Sequence, residues 1–446
     1  MKRVYKSLKT INYRMFFAIL VLLLLPTIYK TVRIYFLGYL PSDSGINIAS
    51  QLQYVDLFYE IIQEALILPL FFILGKVVND KHKFENQVKT GLIVTTLIYM
   101  VLSLFIFVFS KGLIVFMAQN VDMLEETVKY VRLETVAALF STLTKFMLLV
   151  LITLKKDNYM YIVLVIQMLL SVVFDTFFVS NLSISLQLGV NGIALTNIIV
   201  NVILLIIVFI LVRRENIKIL KKTKLSFSWM KVWFHVGLYS GLESLLRNLA
   251  FMYMIVRMVN VVAEQGNYWI ANNFIWNWLL LPGLALADLV KQETAASKDN
   301  IRDKTFGYIS LTTVFAIIWL VSIPLWKPFL KFVMNVDEYE KVFKIVLIQT
   351  IFYLTFLFNS CIFDSTFYGR GKTQYMLIQS ICIDVFYYGI MFILYMMDFF
   401  VPTLLSISLM FGIGMALDFI PTLIIYFVML RKEGIRINFR LEKFIK

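Results

Sequence analysis

Charged residues and residues with reactive side chains are scarce in this chain of 446 residues. Asp, Glu, Lys and Arg together make up 16% of the sequence, and there are two cysteines and two histidines. Cys361 and Cys382 both lie inside apolar segments, which gives no support to a disulfide framework or a thiolate metal site. His82 lies in a loop, His235 lies at a helix start, and no acid or nucleophile pair has catalytic spacing. The sequence therefore predicts that the protein is not an enzyme and needs no organic cofactor.

Apolar residues, by contrast, dominate the composition. The hydrophobic share is 60% and the mean hydropathy is +0.81. A water-soluble domain would not tolerate this composition, because much of the apolar surface would have to face water. At roughly 20 residues per spanning helix, twelve helices use somewhat more than half of the chain and leave no large soluble domain. The sequence predicts an all-α polytopic membrane protein with twelve transmembrane helices.

A basic run near the middle of the chain, Arg213 to Lys231, is its longest polar interruption. Six apolar segments on each side of this run are long enough to cross a bilayer. The predicted organisation is an N-terminal six-helix bundle (residues 1–212), a basic cytoplasmic linker (213–232), a C-terminal six-helix bundle (233–430) and a basic cytoplasmic tail (431–446).

The net charge of +14 comes from basic residues that fall in alternate loops. The intervening loops, such as residues 41–50, 180–189 and 262–266, hold almost no Lys or Arg. By the positive-inside rule, both termini and the central linker lie in the cytoplasm, which requires an even number of helices. The expected location is the plasma membrane of a prokaryotic cell, and no nucleic acid is expected as a partner.

The two halves of the chain also resemble each other in sequence. Pro69 and Pro282 follow similar apolar segments and lie 213 positions apart. The pair Tyr159-Met160 recurs 216 positions later, and GIALTN at Gly192 corresponds to GMALDF 222 positions later. Three matches in the same order predict an internal duplication. Six helices per half start and end on the same side, so the two bundles are expected to be related by a pseudo-two-fold axis along the membrane normal.

Three further segments carry a family resemblance. They are LGVNGIALTN at residues 188–197, YGRGKTQYM at 368–376, and GLYSGLESLLR at 237–247, in which Tyr239 stands where the family has a proline. In these segments and in helix count, the chain resembles the multidrug and toxic compound extrusion (MATE) family, within the superfamily that also contains polysaccharide flippases. The resemblance implies two bundles facing each other across a V-shaped cavity, and export of an organic substrate driven by inward movement of Na⁺ or H⁺.

The resemblance also bears on the coupling site. In one branch of the family, acids lie on the seventh and tenth helices at positions that correspond to Arg247 and Asn359 here. Two other acids, Glu243 and Asp364, lie within about a turn of these positions. The aspartate expected on the first helix in other branches is absent from the corresponding segment. We therefore expect Glu243 and Asp364 to be the coupling carboxylates.

Asn273 and Asn277 are expected to complete the coupling site as neutral ligands. Amide and carboxylate oxygens suit a hard cation such as Na⁺, whereas a desolvated carboxylate suits a proton. The other polar residues expected to face the cavity are Lys30, Arg33, Asp56, Glu60, Glu64, Arg247, Asn359, Asp384 and Asp418.

The acids of the second predicted helix allow two interpretations. Asp56, Glu60 and Glu64 recur at i, i+4 spacing and share one helix face. Charges at this depth are costly unless they are paired or hydrated. Lys30 and Arg33 of the first helix would provide an ion-pair network between these two helices, whereas hydration would place the acids along a watery cavity. Similarly, Glu243 and Arg247 lie one turn apart and would satisfy each other.

Two functions remain open from the sequence. The first is a MATE-like secondary active transporter that exports amphipathic organic compounds by antiport with Na⁺ or H⁺, and acts as a monomer. The alternative is a flippase for an anionic lipid-linked saccharide, whose pyrophosphate would meet intramembrane bases. Those bases are Lys30, Arg33, Arg132, Lys145 and Arg247. A cavity lined by bases would favour the flippase, and one lined by acids and aromatic residues the antiporter.

Overall fold

The computed structural model describes residues 2–40, 44–156, 158–219 and 225–435. These residues form helices joined by short loops, and they contain no β-strand. Residues 220–224 of the predicted linker and 436–446 of the predicted tail lie outside the described ranges.

The described residues of the first half form seven helices. A short helix at the N-terminus is followed by six that are long enough to span a membrane. They are α1 (Lys2–Lys9), α2 (Tyr13–Leu37), α3 (Gly45–Val77), α4 (Lys81–Phe116), α5 (Val121–Thr153), α6 (Asn158–Phe178) and α7 (Val190–Arg214).

The second half begins with α8 (Met230–Phe251), which continues through a π-helical turn (Met252–Val256) to a last helical segment (Arg257–Val261). Helices α9 (Gln265–Leu279) and α10 (Leu281–Ala296) form one span that is bent by 58°. The remaining helices are α11 (Asp299–Val321), α12 (Ile323–Pro328), α13 (Tyr339–Gly369), α14 (Thr373–Met396) and α15 (Leu404–Lys432).

Ten of the described helices are long and apolar enough to cross a membrane, and the bent pair of α9 and α10 makes an eleventh span. The predicted all-α polytopic membrane protein is confirmed. The predicted span missing from this count is the seventh, the first of the C-terminal half, which corresponds to α8 and its continuation and does not qualify by composition. This segment carries Lys231, Glu243, Arg247 and Arg257.

The long helix α4 shows how the sequence adapts to lipid. Leu97, Val101, Leu104 and Val108 recur every three or four residues and are exposed on the outer face of the protein. The opposite face carries polar side chains, of which Ser103 is buried and shares a hydrogen bond of 2.8 Å with the Tyr59 hydroxyl. Apolar groups thus face lipid, while polar groups find partners inside the bundle.

Two prolines create π-helical turns at matching positions in the two halves. Pro69 follows the π-helical turn Gln63–Ile67 in α3, and Pro282 follows the turn Ile275–Leu279 at the end of α9. Because proline has no N–H to donate, carbonyls one turn earlier are left without a helical partner. Such carbonyls in a membrane need donors from neighbouring helices.

The donors come from the opposite half of the chain. Ser240 Oγ of α8 donates to the Glu64 carbonyl at 2.9 Å, and Thr27 Oγ1 of α2 donates to the Asn277 carbonyl at 3.2 Å. Thr27 and Ser240 are 213 positions apart, as are Glu64 and Asn277. These reciprocal contacts support the predicted duplication, and the pseudo-two-fold rotation and domain boundaries stay predictions.

Close packing between the halves requires a glycine in α8. A Cβ atom at Gly237 would lie 2.0 Å from the Ala65 carbonyl oxygen. The side chain of Trp233, one turn earlier, donates to the Leu66 carbonyl at 2.8 Å. Helix α8 therefore lies directly against the π-helical turn of α3.

Contacts also join the halves near the ends that are predicted to face outward. The side-chain amides of Gln51 (α3) and Asn260, at the end of α8's continuation, exchange two hydrogen bonds, of 2.7 and 3.0 Å. Gln51 also donates to Gln119 at 3.3 Å. The Asn335 side chain donates to the Tyr35 carbonyl at 3.3 Å. The ends of the two halves that are predicted to face outward are thus held together.

Candidate functional site: a polar cavity between the two halves

A central cavity of about 1040 Å³ is lined by side chains from both halves of the chain. Among the described residues, eight carboxylates and five basic groups line it. The carboxylates belong to Asp56, Glu60, Glu64, Glu134, Glu243, Asp364, Asp384 and Asp418, and the basic groups to Lys30, Arg33, Lys145, Arg247 and Lys291. Acids therefore outnumber bases around this space.

Aromatic rings form much of the remaining wall. Trp269 and Trp276 project from α9, Tyr353 and Phe356 from α13, and Phe411 from α15. Trp276 donates its Nε1–H to the Tyr353 hydroxyl at 3.1 Å, which fixes the orientation of both rings. Rings of this kind offer flat apolar surface and a π-face for cations.

Arg247 lies at the centre of an ion-pair cluster that joins α3 and α8. Its guanidinium contacts Glu60 at 3.0 Å, Glu64 at 3.0 Å and Glu243 at 3.1 Å. The Glu243 carboxylate also accepts a hydrogen bond from Ser380 Oγ at 3.2 Å. The predicted pairing of Glu243 with Arg247 is therefore present, within a larger cluster.

The predicted ion-pair network between the first and second spanning helices is wrong. Glu60 and Glu64 pair with Arg247 of α8, because α3 packs its π-helical turn directly against that helix. Arg33 of α2 points to α6, where its guanidinium forms a two-pronged ion pair with Asp175 at 2.9 and 3.3 Å. The second interpretation, that the acids of α3 line a cavity, agrees with their position.

A second polar contact in the N-terminal half links α5 to α7. The side-chain amide of Asn197 donates to both carboxylate oxygens of Glu134, at 2.8 and 3.0 Å. Asn197 is the last residue of LGVNGIALTN, so this segment of the sequence did mark a site residue. Glu134 was not among the predicted site residues.

The C-terminal half contains a cluster of buried oxygen atoms. Asp418 of α15 accepts hydrogen bonds from the amides of Asn359, at 2.9 Å, and Gln379, at 2.8 Å. Within the described residues, the side-chain oxygens of Asn359 and Gln379, whose amide nitrogens donate to Asp418, have no hydrogen-bond partner. Asp364 Oδ1 is also buried and has no such partner among the same residues. Buried oxygens are costly when they are unsatisfied, so these three are available to accept a hydrogen bond or to ligate a cation.

The π-helical turns place these groups. Asn359 and Asp364 bound the turn Asn359–Asp364 of α13, and Asp384 lies in the turn Ile381–Tyr387 of α14. A π-helical turn inserts one residue into a helix and rotates the following side chains, so polar groups on either side of it converge. Sequence periodicity does not reveal such turns, so it could not predict that these groups converge.

Of the predicted site residues, all but one line the cavity. The exception is Asn359, which is 1% exposed and lies behind the wall, where it holds Asp418. Asn273 and Asn277 line the cavity on α9, and their amide nitrogens donate to Trp269 and Asn273 of their own helix. Their role as ligands stays a prediction.

Two features bear on metal binding and on the flippase alternative. Within the described ranges, no group of three or more His, Cys, Asp and Glu side chains could hold a metal ion. Arg132, predicted to be a cavity base, does not line the cavity. Its guanidinium donates to the Phe107 carbonyl and to Ser110 Oγ of α4.

Comparison with known proteins agrees with this architecture. Residues 78–177 match the MatE family model. No curated protein matches the sequence. An inward-facing multidrug resistance MATE transporter of the MOP superfamily superposes with a TM-score of 0.75 at 15% identity, over 92% of this chain and 95% of that one.

Two other solved structures are similar. The Vibrio cholerae MATE transporter VcmN gives a TM-score of 0.70 at 15% identity, over 97% of this chain and 99% of its own. An outward-facing MATE transporter gives 0.64 at 16% identity, over 97% and 98%. The chain thus has the fold of these polytopic MATE transporters. A match of residues 78–177 to the MatE family model and the fold of MATE transporters of the MOP superfamily confirm the resemblance found in the sequence.

Proposed function

We propose that the protein is an ion-coupled exporter of amphipathic organic compounds that works by alternating access between its two halves. The observation that carries the proposal is the single cavity shared by both halves, in which acids outnumber bases and aromatic rings form the wall. Such a lining suits organic molecules that carry positive charge. Because one chain supplies the whole cavity, a monomer suffices, and we place both termini and the linker in the cytoplasm on the distribution of Lys and Arg.

The coupling ion is proposed to bind in the C-terminal half. Asp364 and Asp418 supply carboxylates, and the unpartnered side-chain oxygens of Asn359 and Gln379 supply neutral ligands. This oxygen set suits Na⁺, and either carboxylate suits a proton. Only a coupling ion that binds and leaves during the cycle would tie transport to a gradient.

Glu243 retains a place in this proposal as an electrostatic neighbour. It lies close enough to Asp364 and Asp418 to interact with both. Its carboxylate is held by Arg247 and Ser380. Glu243 therefore links the ion site to the contact between α3 and α8, whereas Asp364 is the more direct ligand. Asn273 and Asn277 are assigned to the substrate wall beside Trp269 and Trp276.

The flippase alternative has less support. Of the five bases that it would use, Arg132 lies outside the cavity, Arg33 is paired with Asp175, and Arg247 is surrounded by three carboxylates. Lys291, the other base of the cavity wall, is paired with Asp288 at 2.9 Å. Among the described residues, Lys30 and Lys145 therefore remain as partners for a pyrophosphate.

Transport in liposomes tests the proposal. Full-length protein is reconstituted, and movement of the cationic dye ethidium is followed under a Na⁺ gradient alone and under a pH gradient alone. We expect one gradient to drive ethidium and the other to have little effect. Asp364→Asn and Asp418→Asn should each reduce gradient-driven movement at least about tenfold, because an amide cannot exchange a proton and binds Na⁺ weakly.

Asp299→Asn is the matched control, because Asp299 is an exposed carboxylate at the start of α11 that pairs with Arg302 at 3.7 Å. This variant should transport like the unmodified protein. Absence of gradient-driven ethidium movement under either condition would overturn the proposed function. Full gradient-driven transport by both Asp364→Asn and Asp418→Asn would show that the coupling site lies elsewhere.

A further inference from the structure

Two cavity lysines in the N-terminal half are left without an adequate acidic partner. Lys30 of α2 and Lys145 of α5 line the cavity, and both side chains are exposed to it. Lys145 Nζ donates to the neutral Gln63 Oε1 at 2.8 Å. For Lys30, no hydrogen bond or ion pair is found in the part of the chain that the structure describes. Most of the N–H donors of these two ammonium groups are therefore directed into the cavity.

The neighbouring acids do not neutralise this pair. Asp56 of α3 is the acid that both lysines share as an electrostatic neighbour, and within the described residues it lies beyond the 4.0 Å ion-pair distance from either. Glu134 is bound by Asn197 and lies close to Arg33. Glu60 is a further electrostatic neighbour of Lys145, but its carboxylate is bound by Arg247 at 3.0 Å. The two ammonium groups therefore share Asp56 at a depth where unmatched charge is costly.

We propose that Lys30 and Lys145 form a subsite for one anionic group, a carboxylate or a phosphate, on the transported molecule. Two ammonium groups whose N–H donors are directed into the cavity would hold one monoanionic group through charge-assisted hydrogen bonds. A pyrophosphate carries more charge than this pair can match.

The subsite deepens the proposed function by naming a substrate class. The C-terminal side of the same cavity carries Asp364, Asp384 and Asp418, and the aromatic residues of α9 and α13 lie along its wall. A molecule with an anionic group at one end, a cationic group at the other and an aromatic body between them would match this distribution of charge. The substrate class is therefore a zwitterionic aromatic amphiphile.

Equilibrium binding of two matched dyes tests the subsite without any gradient. Rhodamine 110 carries a free carboxylate, and rhodamine 123 is its methyl ester. Binding to full-length protein in phosphatidylcholine nanodiscs is measured by fluorescence anisotropy. Wild-type protein should bind rhodamine 110 at least about tenfold more tightly than its ester, because the carboxylate gains hydrogen bonds from two cations. In the double variant Lys30→Gln/Lys145→Gln, the two dyes should bind equally.

Two further variants control for folding and for charge. Arg132→Gln removes a base from the same helix as Lys145 but outside the cavity, and it should keep the preference for rhodamine 110. Lys145→Arg keeps the positive charge and should retain most of the preference. If the double variant does not fold, the single variants Lys30→Gln and Lys145→Gln should each lose part of the preference.

Nanodiscs that contain phosphatidylglycerol distinguish the source of the anionic group. If lipid phosphate occupies the subsite, phosphatidylglycerol should weaken rhodamine 110 binding to wild type and have no effect on the double variant, which supports the subsite and assigns it to lipid. Equal binding of both dyes to wild type without any lipid effect would overturn the inference. Persistence of the preference in the double variant would do the same. Neither result depends on ion-driven transport. The binding experiment therefore tests the subsite independently of the transport experiment that tests the proposed function.

Discussion

Substitution of Arg247 by glutamine should destabilise the protein through the three carboxylates that it leaves behind. The guanidinium makes ion pairs of 3.0, 3.0 and 3.1 Å with Glu60, Glu64 and Glu243. Removing the cation removes three charge-assisted hydrogen bonds and leaves three negative groups within a short distance of one another. The cluster joins α3 to α8, so the loss acts on the contact between the two halves.

The magnitude follows from how much solvent each group meets. A hydrogen bond to a charged group contributes about 1.5–3 kcal/mol when buried, and an exposed ion pair about 0–1 kcal/mol. The side chains of Arg247 and Glu60 are 41% and 38% exposed, whereas Glu243 is 6% exposed. We therefore assign most of the effect to the pairs with Glu243 and Glu64, and expect Arg247→Gln to lower the free energy of unfolding by about 3 kcal/mol.

Unfolding in mixed detergent micelles, followed by tryptophan fluorescence, measures this change. Arg247→Gln is compared in the native background and in a Glu60→Gln/Glu64→Gln/Glu243→Gln background. In the second background the arginine has no acids to neutralise, so the same substitution should cost less than about 1 kcal/mol. An equal cost in both backgrounds would refute the reasoning, because it would show that Arg247 stabilises the fold independently of the carboxylates.

Three other predictions concern the fold. Thr27→Ala and Ser240→Ala should each lower the free energy of unfolding by about 1 kcal/mol, since each leaves a carbonyl in α9 or α3 without its donor. Thermal unfolding of the single variants measures this change. No effect from either variant would contradict a stabilising role for these two hydrogen bonds. Gly237→Ala should abolish or strongly reduce folded protein in detergent, because its Cβ would lie 2.0 Å from the Ala65 carbonyl oxygen. In Gly75→Ala the added Cβ meets nothing within 4 Å, so this variant should be tolerated. Size-exclusion chromatography measures the yield of folded protein for both variants. For topology, cysteines at Ser183 and Ser228, in a background without Cys361 and Cys382, should label from opposite sides of the membrane; labelling of both from outside would contradict a membrane crossing by α7 and the cytoplasmic location predicted for the linker.

The sequence predicted the membrane class because hydrophobic runs and charge placement are local signals, and the family resemblance implied a cavity between two bundles. Lys30, Asp56 and Glu243 were identified as cavity residues since charges inside apolar helices have few other places to lie. Pro69 and Pro282 were recognised as a repeat, although the structural reason, a π-helical turn whose carbonyls bond to the other half, was not visible in the sequence.

Pairing between helices could not be predicted in the same way. Arg33 and Glu64 lie on adjacent spanning helices, and sequence proximity favoured a pair between them. Instead, the packing of the helices pairs Arg33 with Asp175, which lies 142 positions away, and Glu64 with Arg247, which lies 183 positions away. Gln379 was missed because a neutral amide in an apolar helix has no distinctive pattern, and its importance comes from the carboxylate of Asp418 on another helix.

The central claim, that transport requires the two halves to separate around the shared cavity, is tested most directly by a reversible crosslink. Gln51 and Asn260 join the outer ends of α3 and the continuation of α8 through hydrogen bonds of 2.7 and 3.0 Å. With Cys361 and Cys382 replaced, the variant Gln51→Cys/Asn260→Cys is oxidised in liposomes and ethidium movement is measured before and after reduction. Our account predicts that oxidation stops gradient-driven movement and that reduction restores it. Full transport by protein shown to be crosslinked would contradict alternating access between the halves.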